Sequence, residues 1–194
     1  MSILNPNVPF RIIFLLFTVL FAIQRTKETF FRPKRGGEIK ERFSLPLLTF
    51  VYVLVCSVAV LELLLIKRNL NGIITCTGIF LYIVAFLLRA WSFRTLGEYF
   101  SPHIEITNDQ PLIIEGPYRF VRHPIYLGVI IELISFTVIP NSYYALLLAI
   151  FTYIPLLLVR MYREEIAMIE KFGLAYVQYK KEVNAFLPLK RYSG

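Results

Sequence analysis

The chain has 194 residues, 57% of them hydrophobic, and carries 21 Lys and Arg against 13 Asp and Glu for a net charge of +8. A mean hydropathy of +0.61 with the apolar residues gathered in long runs argues against a soluble globular domain and for a polytopic membrane protein. The positive charge points to a membrane surface rather than to nucleic acid, because it is concentrated in the short segments between apolar runs.

Five stretches are candidate spans, at roughly 8–23, 45–66, 72–93, 124–140 and 142–160. Each approaches the ~20 apolar residues that a spanning helix needs. The expected fold is all-α, a polytopic membrane helix bundle of about five transmembrane helices forming a single integral membrane domain over residues 1–194. Gln24-Arg25-Thr26-Lys27 follows the first stretch where a signal peptide would carry a small-residue cleavage site, so that stretch is expected to remain as a span. With five spans and the amino terminus outside, 17 of the 21 Lys and Arg fall on one side: seven between Arg25 and Arg42, three between Arg94 and Arg122, and seven from Arg160 onward. This places the carboxyl terminus and the connector before Pro124 in the cytoplasm.

After the first span, Arg25 to Arg42 carries Pro33, Gly36 and Gly37 among dense positive charge and reads as a loop contacting anionic headgroups. Asn69-Leu70-Asn71-Gly72 joins the second and third spans, with Asn-Gly supplying a turn. Glu62, Arg89 and Glu132 lie inside spans, where an unpaired charge costs several kcal/mol, and they are expected to pair with one another or to snorkel. Cys56 and Cys76 have no CxxC or His partner and read as small packing residues, with no metal site expected. The connector from Arg94 to Glu115 is too polar to span. Its apolar pieces Ile104-Glu105-Ile106 and Leu112-Ile113-Ile114 could wall a cytosolic pocket, while His103 and Asn108-Asp109 read as loop residues.

Two constellations stand out. The first runs from Gly116 to Gly128 and holds two prolines, two arginines, two tyrosines and His123. Pro124 suits the first turn of a helix. His123 would then occupy the cap position with Tyr126 one turn inward on the same side, and free backbone amides would make an anion site. The same residues also suit an interfacial anchor. The second constellation is Arg160-Met161-Tyr162-Arg163-Glu164-Glu165, leading to Phe172-Gly173. Arg160 and Glu164 share a helix face. Glu165 falls on an apolar stripe with Met161, Met168, Ile169, Phe172 and Tyr176, so it must be paired or turned toward a polar pocket, unless the helix is merely an interfacial amphipathic one.

Gly116-Pro117-Tyr118, Arg122-His123-Pro124-Ile125-Tyr126-Leu127-Gly128, Arg160 with Glu164-Glu165-Ile166, and Phe172-Gly173 with Tyr176 and Tyr179-Lys180, in this order, resemble the isoprenylcysteine carboxyl methyltransferase family of integral membrane methyltransferases, which is related to phospholipid methyltransferases. The resemblance covers about the last hundred residues. It implies that residues 94–194 form the catalytic half, in which the cytosolic connector and a C-terminal helix build the pocket for S-adenosylmethionine, with S-adenosylhomocysteine as product. By position, Gln110, Pro111, Leu112, Ile113, Tyr118, His123, Pro124, Ile125, Tyr126 and Glu164 would contact the cofactor and Arg160 would address the substrate. An earlier contact falls near Glu105, and Glu165 stands beside Glu164 as the other candidate carboxylate.

That assignment is chemically coherent. A carboxylate can meet the ammonium of S-adenosylmethionine, His123 or helix-start amides its carboxylate, and Tyr118 or Tyr126 the adenine or the sulfonium. No glycine-rich loop of the dinucleotide type follows a strand. A carboxylate acceptor is already ionised and needs no general base, whereas an amine acceptor would need one, with Glu165 or His123 available. The expected partners are membrane lipids and a lipophilic or lipidated substrate entering sideways from the bilayer, most directly a prenylcysteine-like acceptor. The competing readings are a phospholipid N-methyltransferase, an NADPH-dependent membrane reductase and a non-catalytic membrane scaffold.

Overall fold

The computed structural model describes residues 8–30, 38–41, 43–102, 104–106 and 110–189. Pro33, Gly36 and Gly37 of the first loop, together with His103 and Asn108-Asp109, lie outside the described residues.

The first span is helix α1 (Val8–Phe30). A short strand β1 (Glu38–Glu41) follows, then α2 (Ser44–Leu65) and α3 (Gly72–Leu96). The connector carries strand β2 (Ile104–Ile106) and a 3-10 turn (Gly116–Arg119) before α4 (Pro124–Val138). Next, α5 (Tyr143–Leu148), a π-helical turn (Ala149–Tyr153) and α6 (Ile154–Phe172) run on as one rod, and α7 (Leu174–Glu182) folds back after it. Gly173 makes that last bend at φ 56, a backbone region that favours glycine.

Among the described residues four helices are long and apolar enough to cross a membrane: Val8–Glu28, Ser44–Leu65, Gly72–Tyr99 and Tyr143–Phe172. The fifth expected span, α4, has 15 residues, about 22 Å of helix. It stops short because Pro140 and the left-handed Asn141, at φ 57, turn the chain. Among the described residues the small antiparallel ribbon β1–β2, with Glu38 opposite Ile106, is the one strand pairing, and it ties the first loop to the connector. Asn71 is a helix cap, its side chain accepting from the Ile73 and Ile74 amides at 3.0 and 3.3 Å.

The widest helix contact is between α3 and α4. Gly78 permits it, since a Cβ there would sit 2.8 Å from the backbone nitrogen of Ile139. The core is aromatic: Phe136, fully buried in α4, lies with its ring centroid 5.2 Å from Phe14 and 4.9 Å from Phe21 of α1. A second cluster packs Tyr176, Tyr179 and Val183 of the C-terminal segment on Leu112 and Ile114 of the connector.

The intramembrane charges pair, as their burial demands. Arg89 donates to both Glu132 and Glu28. Arg25 lies 3.4 Å from Glu132 and 3.7 Å from Glu28, with its guanidinium over the Tyr52 ring. Glu62 instead receives the first amides of α5, from Tyr143, Tyr144 and Ala145 at 2.9, 3.1 and 3.2 Å, and pairs with Arg68. A carboxylate there neutralises the positive end of the helix dipole.

Candidate functional site

Where α4, α6 and the connector meet, a cavity of about 720 Å³ opens. Of the thirteen positions singled out from the sequence, eleven line it: Gln110, Pro111, Leu112, Ile113, Tyr118, His123, Pro124, Ile125, Tyr126, Arg160 and Glu164. The other two stand apart from this set. Glu105 lies in β2, and Glu165 is buried behind the wall.

The local sequence explains how these groups are held. Pro124 opens α4 and His123 occupies its cap position, where the imidazole stacks on Tyr126 with ring centroids 5.5 Å apart and planes 17° apart. Tyr126 donates its hydroxyl proton to Glu164 and accepts from Arg160 Nε at 3.1 Å. Arg160 also donates to Ser44 Oγ at 2.5 Å and to the Pro102 carbonyl at 2.6 Å, which fixes α6 against α2 and the connector. A guanidinium has five N–H groups, so this bonding leaves Arg160 capacity toward a ligand.

The two adjacent glutamates are separated by one helical step and differ completely. Glu164 faces the cavity and takes its single bond from the neutral Tyr126; among the described residues no cation pairs with it. Glu165 is 4% exposed and gathers Arg122 at 3.1 and 2.8 Å, His123 Nε2 at 3.1 Å and Lys180 at 2.5 Å. The apolar stripe therefore hides a carboxylate because three donors converge on it. Its side chain joins the start of α4 to α7 and does not line the cavity.

The two amides just ahead of the first turn of α4 are committed to the C-terminal segment. Arg122 N donates to Asn184 O at 2.9 Å and His123 N to Ala185 O at 3.1 Å, so the C-terminal segment takes them. Arg122 reinforces this by donating to the Lys180 carbonyl at 3.1 Å and to that of Val183. On the same wall Tyr179 donates to the Tyr118 carbonyl at 2.6 Å. Burial pushes the phenols of Tyr118 and Tyr176 up; Glu164 raises Tyr118 further, and Glu165 followed by Glu164 raises Tyr176. Both remain neutral hydrogen-bonding rings.

The sequence reading missed Ser44 and Pro102, and it missed the cavity's continuation along α1 and α2, whose lining includes Thr18, Phe21, Tyr52, Cys56 and Val60. Cys56 lines this part, while Cys76 is exposed rather than packed. Arg122 and Lys180 were visible in the motifs as residues without a role, but nothing in their spacing names Glu165 as their common partner.

Residues 77–170 match the sequence model of the isoprenylcysteine carboxyl methyltransferase (ICMT) family. A Schizosaccharomyces pombe protein-S-isoprenylcysteine O-methyltransferase is 30% identical over 105 residues, covering 53% of this chain and 44% of that protein. Methanethiol S-methyltransferase 1 of Bradyrhizobium diazoefficiens is 36% identical over 76 residues, 38% of this chain and 25% of that protein. The chain thus spans less than half the length of either relative. Among solved structures, the eukaryotic intramembrane Ras methyltransferase ICMT matches with a TM-score of 0.62 at 23% identity, over 78% of this chain and 55% of that one, which is a likeness of fold. Together with the four apolar spans it makes this chain an integral, multi-pass membrane protein.

Proposed function

From the match of residues 77–170 to the isoprenylcysteine carboxyl methyltransferase family, we propose that this chain is a member and that it transfers a methyl group from S-adenosylmethionine to the carboxylate of a lipid-borne, prenylcysteine-like acceptor. The observation that carries the proposal is the cavity lined by eleven of the singled-out positions, among them Glu164, a carboxylate that pairs with no cation among the described residues.

The donor set fits the cofactor. Glu164 is the acceptor for its ammonium, Tyr118 and Tyr126 offer ring faces and hydroxyls, and Leu112, Ile113 and Met168 give an apolar wall for the adenine. When bound, S-adenosylmethionine supplies a methyl group on a sulfonium, and the transfer neutralises both that cation and the acceptor carboxylate. An ionised carboxylate needs no proton removed, so the residues here have only to orient it and keep water away. Arg160, held by Tyr126, Ser44 and Pro102, is the orienting cation. His123, committed to Glu165 and stacked on Tyr126, shapes the site without acting as a base.

Lateral entry of the acceptor is supported by the cavity's path along α2 as far as Leu61, because Val53 and Leu61 on that wall are 57% and 52% exposed on a face that lipid would cover. The catalytic groups belong to residues 94–194, the cavity mouth and the carboxyl terminus face the cytoplasm, and the amino terminus lies outside, in keeping with the distribution of Lys and Arg.

Isothermal titration of the detergent-purified protein with S-adenosylhomocysteine, with NADPH as comparison, tests the reading. Saturable binding of S-adenosylhomocysteine alone is expected. Binding of NADPH alone, or of neither, overturns it.

A further inference from the structure

The outer face of α3 reads as a depth scale. Phe80, Ile83 and Leu87 are exposed, at spacings of three and four that keep them on one stripe. Trp91, 48% exposed, is next on that stripe, and the exposed Arg94 follows one turn later, about 4.5 Å further along. Apolar residues, then an indole, then a guanidinium is the order a helix shows as it passes from hydrocarbon through the interface to the headgroups.

The 3-10 turn that carries Tyr118 packs on this stretch. Gly116 lies so close to α3 that a Cβ would sit 2.4 Å from Thr95 Oγ1 and 3.1 Å from Trp91 Nε1. Phe120, 36% exposed, follows the turn and stands beside Trp91, with ring centroids 6.4 Å apart. Tyr118 is buried on the cavity wall, so one short turn joins that wall to the outer face of α3. Arg119, between Tyr118 and Phe120, is partly exposed. Neither Arg94 nor Arg119 has an acidic partner among the described residues, and Glu98 and Glu115, the nearest acids along the chain, pair with neither. The buried Arg89 and Arg122, by contrast, are both paired.

We propose that Trp91, Arg94, Arg119 and Phe120 form a docking surface for the anionic lipid headgroups of the cytoplasmic leaflet, and that docking steadies the turn which holds Tyr118 on the cofactor wall. An anionic lipid surface supplies what this patch lacks: negative charge for two guanidinium groups without acidic partners, and an interfacial layer for two half-exposed rings. The occupant is lipid rather than a soluble acidic partner because the patch continues directly into the exposed apolar stripe of Phe80, Ile83 and Leu87, which only the bilayer covers. The surface stands on its own geometry. Its coupling to the cofactor rests on the methyltransferase reading.

The test uses the full chain reconstituted in vesicles of phosphatidylcholine alone and of equal parts phosphatidylcholine and phosphatidylglycerol. S-adenosylhomocysteine is the probe because its ammonium and carboxylate cancel, so the vesicle surface does not concentrate it. In low salt its Kd is expected to be about fivefold lower in the mixed vesicles, the worth of one arginine at an anionic surface. Salt at about 1 M, where the Debye length is about 3 Å, should erase the difference. Arg94→Gln combined with Arg119→Gln should remove the preference and leave the Kd in phosphatidylcholine at its wild-type value. Trp91 is the single tryptophan of the chain and reports docking without the cofactor. Lipid brominated beside the headgroup should quench it more in the mixed vesicles than in phosphatidylcholine, and the double variant should lose that increment. Equal Kd values in the two vesicles overturn the proposal, as does a preference that the double variant keeps, or inorganic phosphate reproducing the effect in phosphatidylcholine. If S-adenosylhomocysteine binds in neither vesicle, the methyltransferase reading itself has failed, and the quenching of Trp91 then decides the surface: no increment overturns it.

Discussion

Two charged clusters bracket the cavity, and they are built on different arithmetic. Deep among the helices, Arg25 and Arg89 face Glu28 and Glu132, two charges against two. Near the start of α4, Glu165 alone receives Arg122, Lys180 and His123, while its neighbour Glu164 receives a neutral hydroxyl. The deep set closes on itself because apolar surroundings punish any surplus. The outer set concentrates donors on one carboxylate and leaves the next one open, which is what a site awaiting a cationic ligand requires.

The largest effect is expected from unbalancing the deep set. Glu132→Leu leaves Arg89 and Arg25 with only the partly exposed Glu28, and breaking such a buried network costs about 3–5 kcal/mol. The thermal midpoint of the detergent-solubilised protein should fall accordingly, and adding Arg89→Met should recover part of the loss. An unchanged midpoint in the single variant would mean that the four charges do not act as a set.

Glu165→Ala comes next. It strands Arg122 and removes the shared partner of α4 and α7, for about 1.5–3 kcal/mol, the range for hydrogen bonds to charged groups. Because Glu165 holds the wall rather than the ligand, the thermal midpoint should fall, and the affinity for S-adenosylhomocysteine should fall only as far as the wall loosens. A stable variant that has lost binding would return Glu165 to the cofactor.

Glu164→Gln is the converse. The glutamine can still accept from Tyr126, so stability should stay within about 0.5 kcal/mol of wild type, as for changes that break no buried network. Affinity for S-adenosylhomocysteine should fall about 10- to 100-fold, the worth of one charge-assisted contact to an ammonium. Equal titration curves for variant and wild type would remove Glu164 from the binding role.

The contrast between the clusters also marks what could be read in the sequence. Apolar runs gave the helices, and the order of the two motifs gave the positions that converge, because helix periodicity and Pro124 at a helix start are local facts. The pairing of Arg89 with Glu132 follows from burial alone. Arg25 was read as the start of a loop contacting headgroups, because only the packing of α1 on Phe136 brings it and Glu28 inward. The helix-face argument put Glu164 and Glu165 on different faces but could not assign them, since Lys180 reaches Glu165 only after the bend at Gly173.

The smallest effect separates geometry from energy within the outer cluster. Lys180 makes the shortest contact to Glu165, 2.5 Å, yet its side chain is 40% exposed. Water and salt screen it, whereas Arg122 and His123 are 8% and 5% exposed at the same carboxylate. Lys180→Met should therefore cost less than about 1 kcal/mol and leave the affinity for S-adenosylhomocysteine unchanged, while Arg122→Met, which also abandons the Lys180 and Val183 carbonyls, should cost more. Comparing the two thermal midpoints decides between burial and distance as the measure of what holds α7 to the site. If Lys180→Met proved the more damaging, the cluster would be anchored from its exposed edge, and the contrast with the closed deep set would be weaker than its geometry implies.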